Sequence, residues 1–325
     1  MGMEITKKNA KMWSRMGPRA TYGLALHDVI NRNDRVYALS GDLGSSSGLS
    51  RIMTEKPERY LNVGIAEQNL IGVSAGLAKE GLIPFSSSFA PFITHRCEDQ
   101  IRMNMGYMHL NIKTVGLGSG VSMSILGNSH YGLSDLAIMT AIPGMTIVSP
   151  CDCAELAICV EATAEYEGPV YIRLTGTPGM PRVYESHFSF EIGKAIKIRE
   201  GDDIAIIATG TMVYFSIVAA DILSKNGIEA TVIDMHTIKP LDNRAIDDVM
   251  DKRLIVTVEE ASIVGGLGSA VAEYIAIKRI KPAQLMLGIR DCFPHAGSYQ
   301  YLLEQCRLTG DQIAEDIQTA LHTKN

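Results

Sequence analysis

Three short stretches concentrate the side chains able to do chemistry. In residues 63–69, Glu67 sits in apolar surroundings at what reads as a helix start. Residues 88–102 carry Phe89, Phe92, His95, Arg96, Asp99 and Arg102, and residues 126–132 carry His130. A carboxyl group withdrawn from water keeps its proton more readily, because desolvation disfavours the charged form, and so is suited to acid–base work. Each feature also has an ordinary structural explanation. A Glu at a helix start balances the helix dipole, phenylalanines at this spacing are usually core, and a loop histidine is usually solvated. Only the combination points further.

The elements that must position these residues alternate along the chain. Residues 35–40, 112–117, 146–150 and 170–173 read as strands, with helices over 66–79 and 151–165, the latter capped by Asp152. Two Pro and two Gly fall within residues 175–182, which marks a linker. The pattern then restarts with strands at 203–209, 230–234 and 253–259 and helices at 217–226 and 269–278. Strand–helix–strand order implies parallel sheets covered on both faces. The fold expected is α/β, in two three-layer α/β/α domains over 1–185 and 190–325.

With 325 residues and 46% hydrophobic content the chain can bury two cores. A net charge of -6 gives no basic excess for nucleic acid. No apolar run approaches the roughly 20 residues that span a bilayer, and the polar N-terminus lacks a signal-peptide core, so a cytoplasmic protein is expected. Cys97, Cys151, Cys153, Cys159, Cys292 and Cys306 lie mostly in apolar stretches and read as buried, reduced thiols. The glycine-rich turns at 116–120 and 265–268 complete neither a dinucleotide fingerprint nor a P-loop and read as tight turns.

Taken in order, the three stretches resemble the pyrimidine-binding and C-terminal domains of transketolase. Residues 63–69 resemble its GIAEQN segment, and Phe89 to Met103 its FAAFFTRAFDQIRM segment. Ser149, Pro150, Asp152 and Glu155 resemble its YPSD region, and residues 171–173 its later arginine-bearing strand; the likeness covers nearly the whole chain. The resemblance implies a thiamine-diphosphate enzyme transferring a two-carbon ketol unit from an anionic ketose to an aldose. It places Glu67 beside the pyrimidine ring nitrogen, where a carboxylic acid promotes the tautomer that activates the cofactor, with Phe89 stacked on the ring and Phe92 behind it. It puts His130 near the substrate hydroxyls, and Arg51 and Arg173 on the substrate's anionic group, a role suited to planar guanidinium.

Two departures stand out. Where the family carries acid before a glycine this chain has Ile125 and Leu126, and a family histidine is replaced by Gly118. The Gly-Asp-Gly stretch that holds magnesium (or calcium) and the diphosphate is missing. The expectation is therefore a split enzyme: an N-terminal partner subunit supplies the diphosphate-binding domain, and two copies of each subunit form a heterotetramer. Residues 13–26 resemble the lead-in helix of the pyrimidine domain, so a natural start at Met1 is expected. The rival readings are the beta subunit of a 2-oxo acid dehydrogenase, a split deoxyxylulose-phosphate-synthase-like enzyme, and a non-catalytic assembly subunit.

Overall fold

The computed structural model describes residues 2–322. Its strands, in chain order, are β1 (Val36–Ser40), β2 (Tyr60–Asn62), β3 (Ile83–Phe89), β4 (Lys113–Leu117), β5 (Thr146–Val148), β6 (Val170–Arg173), β7 (Ile196–Arg199), β8 (Ile204–Ala208), β9 (Ala230–Asp234), β10 (Thr237–Lys239), β11 (Leu254–Ser262) and β12 (Ala283–Ile289). They form two sheets, of order β10-β5-β6-β4-β3-β1-β2 and β12-β11-β8-β9-β7. The first is parallel apart from β10, and the second is parallel apart from β7. Strands β3, β4 and β6 are buried along their whole length, as expected where helices cover both faces.

The first sheet brings the carboxyl ends of its parallel strands to one edge. Register pairs Ser40 with Asn62 and Phe89 with Leu117, so the segments that follow β1, β2, β3 and β4 emerge side by side. Ligands of open α/β sheets bind at that edge. The two sheets also interlock. β10 leaves the second half of the chain and pairs antiparallel with β5 of the first sheet. Ser149 N–H donates to His236 O at 2.7 Å, and Ser262 N–H to Leu133 O at 2.8 Å.

Several element ends differ from expectation. The strand expected over 146–150 stops at Val148, because Ser149 turns its N–H to the other half of the chain and Pro150 has none to give. The helix expected over 217–226 is Met212–Lys225. Val213, Tyr214 and Phe215 are indifferent helix formers, but this segment packs against β9 and the helix Gly310–His322, and packing outweighs propensity. The helix expected over 269–278 is Leu267–Ala276, begun where Leu267 and Gly268 N–H groups donate to Glu259. Asp152 caps Cys153–Glu165 as expected, accepting from Ala154 and Glu155 N–H at 2.8 Å each.

Candidate active site

Glu67 opens the helix Glu67–Lys79, a few residues after β2. Gly64, at φ 76°, makes the turn from strand to helix, and its N–H donates to Asn62 Oδ1 at 3.0 Å. The Glu67 side chain is 2% exposed. Ser88 of β3 donates to its Oε1 at 3.3 Å, and Arg96 Nη1 donates to its Oε2 at 2.6 Å. The apolar surroundings expected from sequence are thus corrected: the carboxyl is buried, but it faces a guanidinium that is itself about half exposed.

Phe89 closes β3 and caps the short helix Ala90–Thr94, which Pro91 starts. Phe89 and Phe92 meet edge to face with ring centres 6.0 Å apart. His130, from the loop after β4, sits 5.7 Å from the Phe89 ring and 5.3 Å from that of Phe92. The Arg96 guanidinium lies over the Phe92 ring at 4.7 Å. Glu67, Arg96, Phe92, Phe89 and His130 are therefore one connected cluster. Arg96 carried no role in the sequence reading, although its spacing of four from Phe92 is the spacing at which helical side chains meet.

The two expected anion binders are not in the cluster. Arg173 ends β6 with no exposed surface. Its Nε donates to Asp135 Oδ2 at 2.8 Å, and its Nη2 donates to Gly132 O at 3.2 Å and Glu260 O at 2.9 Å. Although burial pulls the other way, the carboxylate of Asp135 keeps this guanidinium above its ordinary pKa. Arg51 is exposed, paired with Glu55 at 2.9 Å, and lies in a separate depression beside His27 and Asn31. The cation missed is Arg19. With Ser45, Ser46, Gly118, Ser122 and Met123 it lines a cavity of about 410 Å³. Gly118 follows Leu117, the register partner of Phe89, so the cavity adjoins the aromatic cluster. The sequence offered one signal for Arg19: its place next to Pro18 at a helix start.

The cysteine expectation holds for four of six. Cys97, Cys151, Cys153 and Cys159 are buried, whereas Cys292 is exposed and Cys306 half-buried. Among the described residues no helix is long and apolar enough to cross a membrane.

A flat aromatic heterocycle suits this cluster. The two rings and His130 offer aromatic surface, and Glu67 offers a buried carboxyl oxygen to a ring nitrogen. A diphosphate does not suit it, because the nearby cation, Arg96, is already committed to Glu67. The cluster is built on the carboxyl edge of a parallel sheet.

The chain belongs to the transketolase family, matching the transketolase pyrimidine-binding domain over residues 15–177 and the transketolase C-terminal domain over 193–313. It is 40% identical over 308 residues to the 6-deoxy-6-sulfo-D-fructose transketolase subunit SqwH of Clostridium sp. (strain MSTE9), covering 94% of this chain and 95% of that one. It is 36% identical over 260 residues to an apulose-4-phosphate transketolase subunit of Phocaeicola vulgatus, covering 79% of this chain and 83% of that one. A solved structure described as a split gene transketolase, inactive beta4 tetramer, superposes with a TM-score of 0.84 at 38% identity, over 95% of this chain and 99% of that chain. The chain is a transferase subunit of a split transketolase.

Proposed function

We infer that this chain and a diphosphate-binding partner subunit together form a thiamine-diphosphate-dependent transketolase that moves a ketol unit from an anionic ketose to an aldose. We read the chain as a pyrimidine-binding domain over 1–185 and a C-terminal domain over 190–325, working in the cytoplasm within a heterotetramer. The observation that carries this reading is the convergence of Glu67, Phe89, Phe92 and His130 on one sheet edge.

When bound, thiamine diphosphate supplies a nucleophilic thiazolium carbon and the electron sink that carbon–carbon cleavage beside a carbonyl requires. The chain's own residues hold the pyrimidine end. Phe89 and Phe92 would present aromatic surface to the ring, and Glu67 would offer a carboxyl oxygen to a ring nitrogen. Ser88 and Arg96 fix that carboxyl in one orientation. His130, packed edge to face on both rings, is placed to give or take a hydrogen bond at a substrate hydroxyl. Magnesium and the diphosphate fall to the partner. Arg19, in the adjoining cavity, takes the anion-binding role that sequence had given to Arg51 and Arg173.

Reconstitution tests the reading. The purified chain should show no ketol transfer, and adding the partner subunit, magnesium and thiamine diphosphate should produce it. Turnover by the chain alone would overturn the split arrangement.

A further inference from the structure

Outside the aromatic cluster, a second group of chemistry-bearing side chains lies where the two halves of the chain meet. Cys151 comes shortly after β5, Glu155 stands in the first turn of the helix that Asp152 caps, and Asp234 ends β9 of the second sheet. The Cys151 sulfur and one carboxyl oxygen from each acid lie within 4.8 Å of one another, and all three residues are buried. Backbone and linker hold them there. Glu155 Oε2 accepts the Cys151 N–H at 2.6 Å, and Asp234 Oδ2 accepts the Tyr184 hydroxyl at 2.9 Å.

Those bonds leave one oxygen of each acid over. Glu155 Oε1 and Asp234 Oδ1 are buried and without a hydrogen-bond partner. Among the described residues, no Lys, Arg or His is in an ion pair with either acid. Asp152 adds negative charge nearby and gives no help, because both its oxygens accept backbone N–H groups. A buried carboxylate left unpaired is costly. Burial, then the charge of the neighbouring acids, holds Cys151 and Glu155 well above their ordinary pKa, and burial pushes Asp234 up to about 7. The cluster calls for positive charge, and either protons or a metal cation can supply it.

The donor set decides which cation fits. One sulfur with two carboxyl oxygens suits a borderline divalent ion, because zinc accepts both donor types. Magnesium and calcium take oxygen ligands instead. We propose that Cys151, Glu155 and Asp234 form a site for a divalent transition-metal ion of the zinc class. Cys151 and Glu155 come from the first half of the chain and Asp234 from the second, so the ion clasps the two together. Enclosed by its own ligands, it is structural and takes no part in ketol transfer. On binding, the thiol and any protonated carboxyl release their protons to solvent, and the ion takes their place. In the metal-free chain protons do the neutralising. The inference does not depend on the transketolase reading.

The test uses the full chain without an affinity tag, purified from zinc-supplemented cells and separately refolded with Co2+ as a spectroscopic probe. Elemental analysis should find about one Zn2+ per chain after gel filtration, as one structural site requires. The Co2+ form should show a sulfur-to-cobalt charge-transfer band in the near ultraviolet. Cys151→Ser should abolish that band, whereas Cys153→Ser and Cys159→Ser, on the neighbouring helix, should keep it. Glu155→Gln and Asp234→Asn should each weaken Zn2+ binding by at least ~10-fold, since even the outer partners of metal ligands are worth that much. No metal retained by the wild type in either preparation would overturn the proposal and leave the cluster to protons; that result needs no variant to fold. A band that survives Cys151→Ser, or Zn2+ affinity unchanged in both acid variants, would overturn it equally.

Discussion

Arg96 Nη1 lies 2.6 Å from Glu67 Oε2, so the buried carboxyl at the helix start is held by a guanidinium that also covers the Phe92 ring. This contact ties the aromatic wall to the acid and orients both towards the carboxyl edge of the first sheet. Glu67→Gln preserves the shape and the hydrogen bond from Ser88 but removes the acid. In the reconstituted enzyme it should lower turnover by at least ~100-fold, the usual scale of a positioned acid or base. Hydrogen–deuterium exchange at the thiazolium C2 is the direct measurement. Exchange as fast as in the wild type, in a variant with unchanged thermal unfolding, would take Glu67 out of the mechanism.

The second prediction concerns assembly. Phe92 and His130 are only half-buried, and Ile65 and Ile125 are 79% and 78% exposed around the same edge. Apolar surface of this kind marks an interaction face. With its partner the chain should form a particle of two copies of each subunit. Light scattering that gave a one-to-one dimer at working concentration would reject this arrangement.

Arg173 is expected to matter to the fold rather than to the substrate's charge. It and Asp135 are both fully buried, and Arg173→Ala would leave the Asp135 carboxylate without its partner. Breaking such a pair costs about 3–5 kcal/mol. The variant should melt at a lower temperature, and any residual enzyme should lose activity equally on charged and uncharged ketoses. A loss confined to the charged ketose would restore Arg173 to the anion site.

Stability should depend on pH in two opposite windows. Burial pushes Asp234 up to about 7, with Cys151, Asp152, Glu155 and Tyr184 around it, and Glu259 up to about 7. In the unfolded chain both return to about 4. Between these values the folded state binds more protons, so stability falls as pH rises from about 4 through about 7. Lys113 runs the other way. Burial holds it down to about 7, so above that pH the unfolded chain carries the extra proton and stability rises again towards the ordinary lysine range. Denaturant midpoints for the wild type and Asp234→Asn across this range provide the check. The Asn variant should lose less stability between about pH 4 and 7, and an unchanged slope would refute the assignment.

Thiol labelling should follow burial. Iodoacetamide should reach Cys292 first in the folded chain. Cys306 should follow slowly, because burial pushes it up to about 11 and leaves little thiolate. Cys97, Cys151, Cys153 and Cys159 should react only on unfolding. Mass spectrometry of partly labelled protein would show the order, and early modification of Cys151 or Cys159 would contradict the packing.

The sequence by itself determined the alternating α/β plan, because apolar periodicity is local. Glu67, Phe89, Phe92 and His130 lie in short stretches that are legible one by one, but the roles expected of them came from the resemblance of those stretches, taken in order, to one family. Tertiary structure alone decided the fate of the long cationic side chains. Whether a guanidinium reaches solvent depends on what packs opposite it: Arg173 is consumed by Asp135, 38 residues away, and by the Glu260 carbonyl, 87 residues away. Arg51 turns aside to Glu55. Arg96 folds back onto Glu67, 29 residues earlier in the chain. Arg19 is left facing a cavity because the segments around Ser45, Gly118 and Gly176 converge there from three different strand ends. Charge and length are written in each residue, but the partner that neutralises or spares the charge is set by the packing of segments far apart in the chain.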